Sequence, residues 1–120
     1  METLKILFLA SHWRASLIKA FQDDNPSIEL ICGDSDPLAP SFREAHRSQV
    51  LPLFSDPQCL LSVLELCEVE KISAIVPLTN KSIEFMANHR LELEAGGRRL
   101  WIPHNRAIEI CHDKWKLFQF

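Results

Sequence analysis

The sequence predicts an α/β domain, a Rossmann-like, doubly wound parallel sheet of about five strands in three α/β/α layers. Two observations carry this. Short, nearly unbroken apolar runs, above all LKILFLA at 4–10 and ISAIVPL at 72–78, suit strands buried on both faces. Between such runs lie segments with apolar residues at helical spacing, so strands and helices alternate, and right-handed crossovers then build a parallel sheet. The 120 residues make one domain, long enough to bury a core without disulfide or metal staples.

The run at 4–10 is the first and central strand. Ser11 can cap the helix after it, in which Trp13, Leu17, Ile18 and Phe21 share one side and Lys19, Gln22 and Asp23 the other, until Asp24-Asn25-Pro26 ends it. SIELIC at 27–32 is the second strand, closed by the turn formers Gly33-Asp34-Ser35-Asp36-Pro37. Residues 38–48 are the least regular, with one helical turn expected at 42–46. A third strand at 49–54 contains Pro52, which suits a sheet edge. Asp56-Pro57 starts a helix that turns Leu60, Val63, Leu64 and Cys67 inward and runs to about Val69. The fourth strand is 72–78. Thr79 or Asn80 caps the next helix, with Ile83, Met86, Ala87 and Leu91 inward and Gly96-Gly97 as its stop. Residues 99–102 form the fifth strand, and Asn105 caps a final helix carrying Ala107, Ile108, Cys111 and Trp115.

Composition removes several classes of function. Thirteen Lys and Arg against 16 Asp and Glu give a net charge of −3, and no basic block exceeds Arg98-Arg99, so the footprint of a nucleic-acid binder is missing. No apolar stretch approaches a bilayer span, and the start has no signal-peptide layout, which places the protein in the cytoplasm. Cys32, Cys59, Cys67 and Cys111 show neither CxxC spacing nor a Cys/His cluster; they read as reduced, structural thiols rather than zinc ligands.

In an open α/β sheet, ligands bind at the carboxyl ends of the strands. That rule selects Ser11, His12 and Arg14 after the first strand, Asp34, Ser35 and Asp36 after the second, Thr79, Asn80 and Ser82 after the fourth, and His104 and Asn105 after the fifth. A helix N-terminus there favours an anion, which Arg14 would reinforce. The first turn, Ala10-Ser11-His12-Trp13-Arg14-Ala15, lacks the glycines that let a pyrophosphate approach, so NAD, FAD and nucleotide-sugar chemistry are disfavoured. Without those glycines, Asp34 and Asp36 read as turn builders before Pro37 more than as ribose ligands. His12 beside either carboxylate could form an acid–base pair, but no nucleophile motif accompanies it. His46, His89 and His112 read as surface residues, and no catalytic or metal-ligating residue is assigned.

KILFLASHWR at the start, GDSDPLAP after the second strand, AIVPLTNKSIEFMANHR around the fourth and IEICHDKWKLFQF at the end together resemble the N-terminal, pre-ATP-grasp domain of ATP-grasp ligases, particularly those related to the carbamoyl-phosphate synthase large subunit. The resemblance implies that residues 1–112 are that domain and that 113–120 begin an ATP-grasp module. Such enzymes use Mg-ATP to join a carboxylate to an amine or ammonia through an acylphosphate. It also implies that Lys114, matching the Lys of the family's DK motif, contacts ATP phosphates, that ATP and magnesium serve the full-length protein, and that this stretch alone is inactive and holds neither. Its expected partners are a downstream ATP-grasp domain in cis and a small carboxylate or amine substrate; its oligomeric state is open. Two stretches depart from the family pattern. The first turn lacks the usual glycines, and Pro77-Leu78-Thr79-Asn80-Lys81-Ser82 stands where carboxylates often occur, so the substrate cannot be carried over. The alternative is a free-standing binding module that uses the strand-end crevice or Trp115, Phe118 and Phe120; an apolar pattern still running at the last residue points instead to the front of a longer chain.

Overall fold

The computed structural model describes residues 4–11, 15–24 and 27–101. β1 (Lys5–Leu9) takes the centre of the sheet because KILFL has almost no polar face to give to water, and Ile6 to Leu9 are all buried. β2 (Glu29–Asp34) lies on one side of it, with Lys5 opposite Glu29, and β4 (Ala74–Pro77) on the other, with Ile6 opposite Ala74. β3 (Arg47–Val50) and β5 (Arg99–Leu100) form the two edges. All four pairings are parallel, and the order β3-β2-β1-β4-β5 reverses direction at β1. That switch opens a crevice at the carboxyl ends of β1 and its neighbours.

Strand alternation divides the core in two. Leu7, Leu9, Ile31 and Ile75 pack under α2 (Cys59–Glu70), α3 (Asn80–Asn88) and α4 (Arg90–Glu94), which contribute Val63, Met86 and Leu93 among others. Ile6, Phe8, Leu30 and Cys32 face the opposite way, towards Ile18 and Phe21 of α1 (Ala15–Asp24) and Phe42 of a 3-10 turn (Pro40–Arg43). Helices on both faces of a five-stranded parallel sheet are the α/β architecture the sequence predicts. Among the described residues, no helix is long and apolar enough to cross a membrane.

Element boundaries shift where tertiary contacts override local signals. β2 runs on through Gly33 and Asp34, read above as turn, because Gly33 admits the Leu51 side chain: a Cβ there would stand 2.6 Å from Leu51 Cδ1. β3 begins at Arg47 and ends before Pro52, so the proline lies outside the strand that remains, as expected, an edge. The turn expected at 42–46 falls at Pro40–Arg43. The helix expected from Asp56-Pro57 begins at Cys59 with Gln58 at its N-cap, and Asp56 instead forms a turn ahead of it, its Oδ1 accepting the Gln58 N–H at 2.8 Å; within the helix Leu66 is buried where Leu60 and Leu64 are only partly so. The helix after β4 breaks at His89, which rotates the phase: Leu91 is 84% exposed and Leu93 takes the inward place, while Phe85 joins Met86 in the core. Gly96 and Gly97, at φ +84° and +87°, close α4 with a backbone that side chains resist. The helix expected from Asn105 lies outside the described residues.

Candidate functional site

At the end of β1, Ala10 adopts φ +60°, a left-handed conformation that costs an L-residue roughly 1–2 kcal/mol. Its N–H donates to the Gly33 carbonyl at 2.9 Å, holding the β1 exit against β2. Ser11, expected at the ligand side, instead turns its hydroxyl inward to the Ser41 hydroxyl at 2.9 Å, and both residues are fully buried. The Cys32 thiol completes this polar knot; burial pushes it up to about 11, with hydrogen bonding to Ser11 and Ser41 working against the rise. Ser41 carries no signal in the sequence, since it lies in the least regular segment. It fixes the start of the first turn to the loop after β2.

Asp34, at the end of β2, and Asp36 shape the loop that follows. Asp34 Oδ1 accepts the Asp36 N–H at 3.0 Å, and Asp36 Oδ1 accepts the Leu38 N–H at 2.9 Å, two successive Asx turns that favour the turn reading over the ligand reading. After β4, Thr79 rather than Asn80 caps α3: Thr79 Oγ1 accepts the Ser82 N–H at 3.1 Å and the Thr79 N–H donates back to Ser82 Oγ at 3.0 Å. Asn80, the first residue of α3, is exposed. His46 is more than a surface residue, for its Nδ1 accepts the Leu30 N–H at 3.0 Å and pins β3 to β2. His12, Arg14, His104, Asn105 and Lys114 lie outside the described residues.

These strand ends bring Ala10, Gly33 and Asp34 around a cavity of about 50 Å³, closed by Leu51 and Phe54. That cavity holds a water or two by itself, against roughly 300–1,000 Å³ for a complete ligand pocket. Among the described residues, no three His, Cys, Asp or Glu side chains could hold a metal ion. Lys5 and Arg47 are held by Glu29 and Glu70 at the far, N-terminal edge, with Arg47 Nη1 2.7 Å from Glu70. Among the described residues, the crevice is shaped by the Ser11–Ser41 hydrogen bond, the Asx turns of Asp34 and Asp36 and the Thr79–Ser82 capping box.

A sequence profile described as PylC-like, N-terminal domain matches residues 6–100. A search of curated proteins finds no match. Among solved structures, the chain is similar to glycinamide-RNase-transformylase T from Mycobacterium tuberculosis, at 20% identity and a TM-score of 0.64, covering 96% of this chain and 33% of that one. It is similar to the biotin carboxylase domain of a Hydrogenobacter thermophilus 2-oxoglutarate carboxylase, at 16% identity and a TM-score of 0.64, covering 91% and 25%. A third is N5-carboxyaminoimidazole ribonucleotide synthetase from Thermus thermophilus, at 21% identity and a TM-score of 0.59, covering 88% and 26%. At such identities the structures establish a shared fold, and the chain spans a third or less of the proteins it matches. The expected kinship with N-terminal domains of ATP-grasp ligases holds in this broad form, whereas a specific likeness to the carbamoyl-phosphate synthase large subunit gains nothing from these matches. With a profile that matches residues 6–100, the chain belongs to the PylC-like, N-terminal domain family.

Proposed function

We propose that this chain is the N-terminal, substrate-side domain of an ATP-grasp enzyme that joins a carboxylate to an amine or ammonia. The observation that carries the reading is the family match over residues 6–100. The biotin carboxylase relative was solved with MgADP and bicarbonate, which supports a reading in which Mg-ATP activates a carboxylate in the complete enzyme. Bound ATP would supply the phosphoryl group that makes the carboxylate reactive; the described residues of this chain do other work. The Ser11–Ser41 bond and the Ala10 turn hold the end of β1, the Asx turns of Asp34 and Asp36 shape the neighbouring loop, and the Thr79–Ser82 box fixes the start of α3. Together they form one rigid side of a crevice, which lowers the cost of positioning a substrate against a catalytic module.

In this reading the domain occupies 1–112, the catalytic module begins at about 113, and Lys114 reaches ATP phosphates as a cationic point charge. The protein works in the cytoplasm. The narrower kinship with carbamoyl-phosphate synthase rests on the same four stretches, of which GDSDPLAP and the terminal CHDKWKLFQF are the most specific. Phosphate release from Mg-ATP, measured for the 120-residue chain and for the chain joined to whatever its gene encodes next, tests the proposal. The isolated chain is expected to release none and the longer protein to release phosphate when offered a carboxylate and an amine. Turnover by the isolated chain, or a longer protein that never consumes ATP, overturns it, the latter in favour of a binding module.

A further inference from the structure

At the opposite edge of the sheet lies a trough of about 650 Å³ across the N-terminal ends of β4 and β5. That size is within the range of small-molecule sites. The chain as a whole is acidic at −3, yet the described lining of this trough carries Lys71, Arg98 and Arg99 against one acid, Glu68. Local structure explains the grouping. Lys71 ends α2 in a left-handed conformation at φ +55°, and Arg99 and Trp101 stand two residues apart along the line of β5, so they face the same way. Arg99 is opposite Ala74, and both line the trough.

The cations differ in their state. Arg98 is almost entirely buried and fixed, its Nε donating to the Leu93 carbonyl at 2.9 Å and its Nη1 to Glu68 at 3.2 Å. Lys71 and Arg99 are exposed and make no ion pair or side-chain hydrogen bond among the described residues. Trp101 is 52% exposed and lines the same trough as Lys71, Arg98 and Arg99.

We infer that this trough binds a small aromatic anion of the nucleoside phosphate class. Phosphate oxygens lie between Lys71 and Arg99, and the base stacks on Trp101, the contact by which proteins hold bases without reading their identity. The described lining offers one carboxylate, Glu68, so the charge that meets the ligand is mainly that of Lys71, Arg98 and Arg99. The inference does not rest on the ATP-grasp reading, since the trough and the crevice occupy opposite edges of the sheet.

Titration of the ¹⁵N-labelled 120-residue chain with ADP in EDTA, with adenosine and inorganic pyrophosphate as controls, tests this by amide shifts. The expected result is a set of shifts over 71–74 and 96–101, with ADP binding at least about tenfold more tightly than either control. Lys71→Asn, which keeps a residue tolerant of the left-handed backbone, combined with Arg99→Gln is expected to weaken ADP about tenfold, and Trp101→Leu to bring ADP down to the pyrophosphate level. Thermal melts check that the variants fold, and the comparison of three ligands on the unaltered chain needs no variant. Overturning results are no shifts at millimolar ADP, shifts centred on Gly33 and Asp34, or pyrophosphate binding as well as ADP, which would mark plain charge attraction.

Discussion

Replacing Gly33 by Ala should reverse the usual benefit of removing a glycine from a strand. Ordinarily such a change stabilises by about 0.4–1 kcal/mol, because alanine restricts the unfolded chain, and Gly33 has no left-handed φ to forbid it. Here the new methyl would stand 2.6 Å from Leu51 Cδ1 and 3.6 Å from Leu7 Cδ1, and Leu51 is 5% exposed. Leu51 must move by most of an ångström. Leu51 lines both the 50 Å³ cavity it shares with Phe54 and a hollow of about 260 Å³ beside α2, and how far it can shift into either sets the cost within the overpacking range of about 1–3 kcal/mol. For a domain of this length that lowers Tm by roughly 4–12 °C. The assay is a double-mutant cycle by urea or thermal unfolding with Leu51→Ala as the second change. In that background the obstructing methyl groups are gone, so Gly33→Ala is expected to become neutral or stabilising. Equal destabilisation in both backgrounds would refute the reasoning, as would a Gly33→Ala variant that is more stable than the parent.

Four further outcomes are expected. Ala10→Gly relieves the φ +60° conformation and should raise stability by about 0.5–1 kcal/mol after the entropy of glycine is subtracted, read as a higher urea midpoint; a lower midpoint contradicts the strain. Thr79→Ala removes the acceptor for the Ser82 N–H and should cost about 1 kcal/mol, whereas Thr79→Ser should recover most of it. Burial raises the Cys32 and Cys67 thiols from 9.0 to about 11, so above about pH 9 only the unfolded chain ionises; their contribution is complete below that pH and is lost as pH rises through 11. Tm should therefore fall across that window, and less so in a Cys32→Ala/Cys67→Ala variant. In the longer protein, Lys114→Met should raise the KM for ATP about tenfold without lowering the Tm of the 120-residue chain, and an unchanged KM would remove Lys114 from the nucleotide site.

The fold was legible because its strongest signals are physical necessities. An apolar strand such as KILFL must lie at the centre, Pro52 must stay out of an interior strand, and Thr79 starts a helix with the side-chain bond its chemistry offers, whereas Asp56 makes a turn just ahead of the helix it was expected to cap. Boundaries slipped where a partner distant in sequence decided the outcome. Gly33 reads locally as a turn, yet it belongs to β2 because Leu51 packs over it. Leu91 fits the inward stripe of one continuous helix, and the break at His89 alone hands that place to Leu93. The site was less legible for the same reason. A serine eight residues past Gly33 has no pattern to mark it, and only the fold brings Ser41 to Ser11. Nor can periodicity show that Lys71, Arg99 and Trp101 line a single trough, because they come from the end of a helix and the edge of a sheet.

The central claim, that this domain works at the front of an ATP-grasp enzyme, is tested most directly by the intact mass of the protein isolated from its own cell. The account predicts a mass well above the 13.8 kDa of these 120 residues, with an added segment that supplies the metal-binding carboxylates and phosphate contacts of a nucleotide site. A native mass of 13.8 kDa would contradict it and turn attention to a partner that binds the domain as it stands.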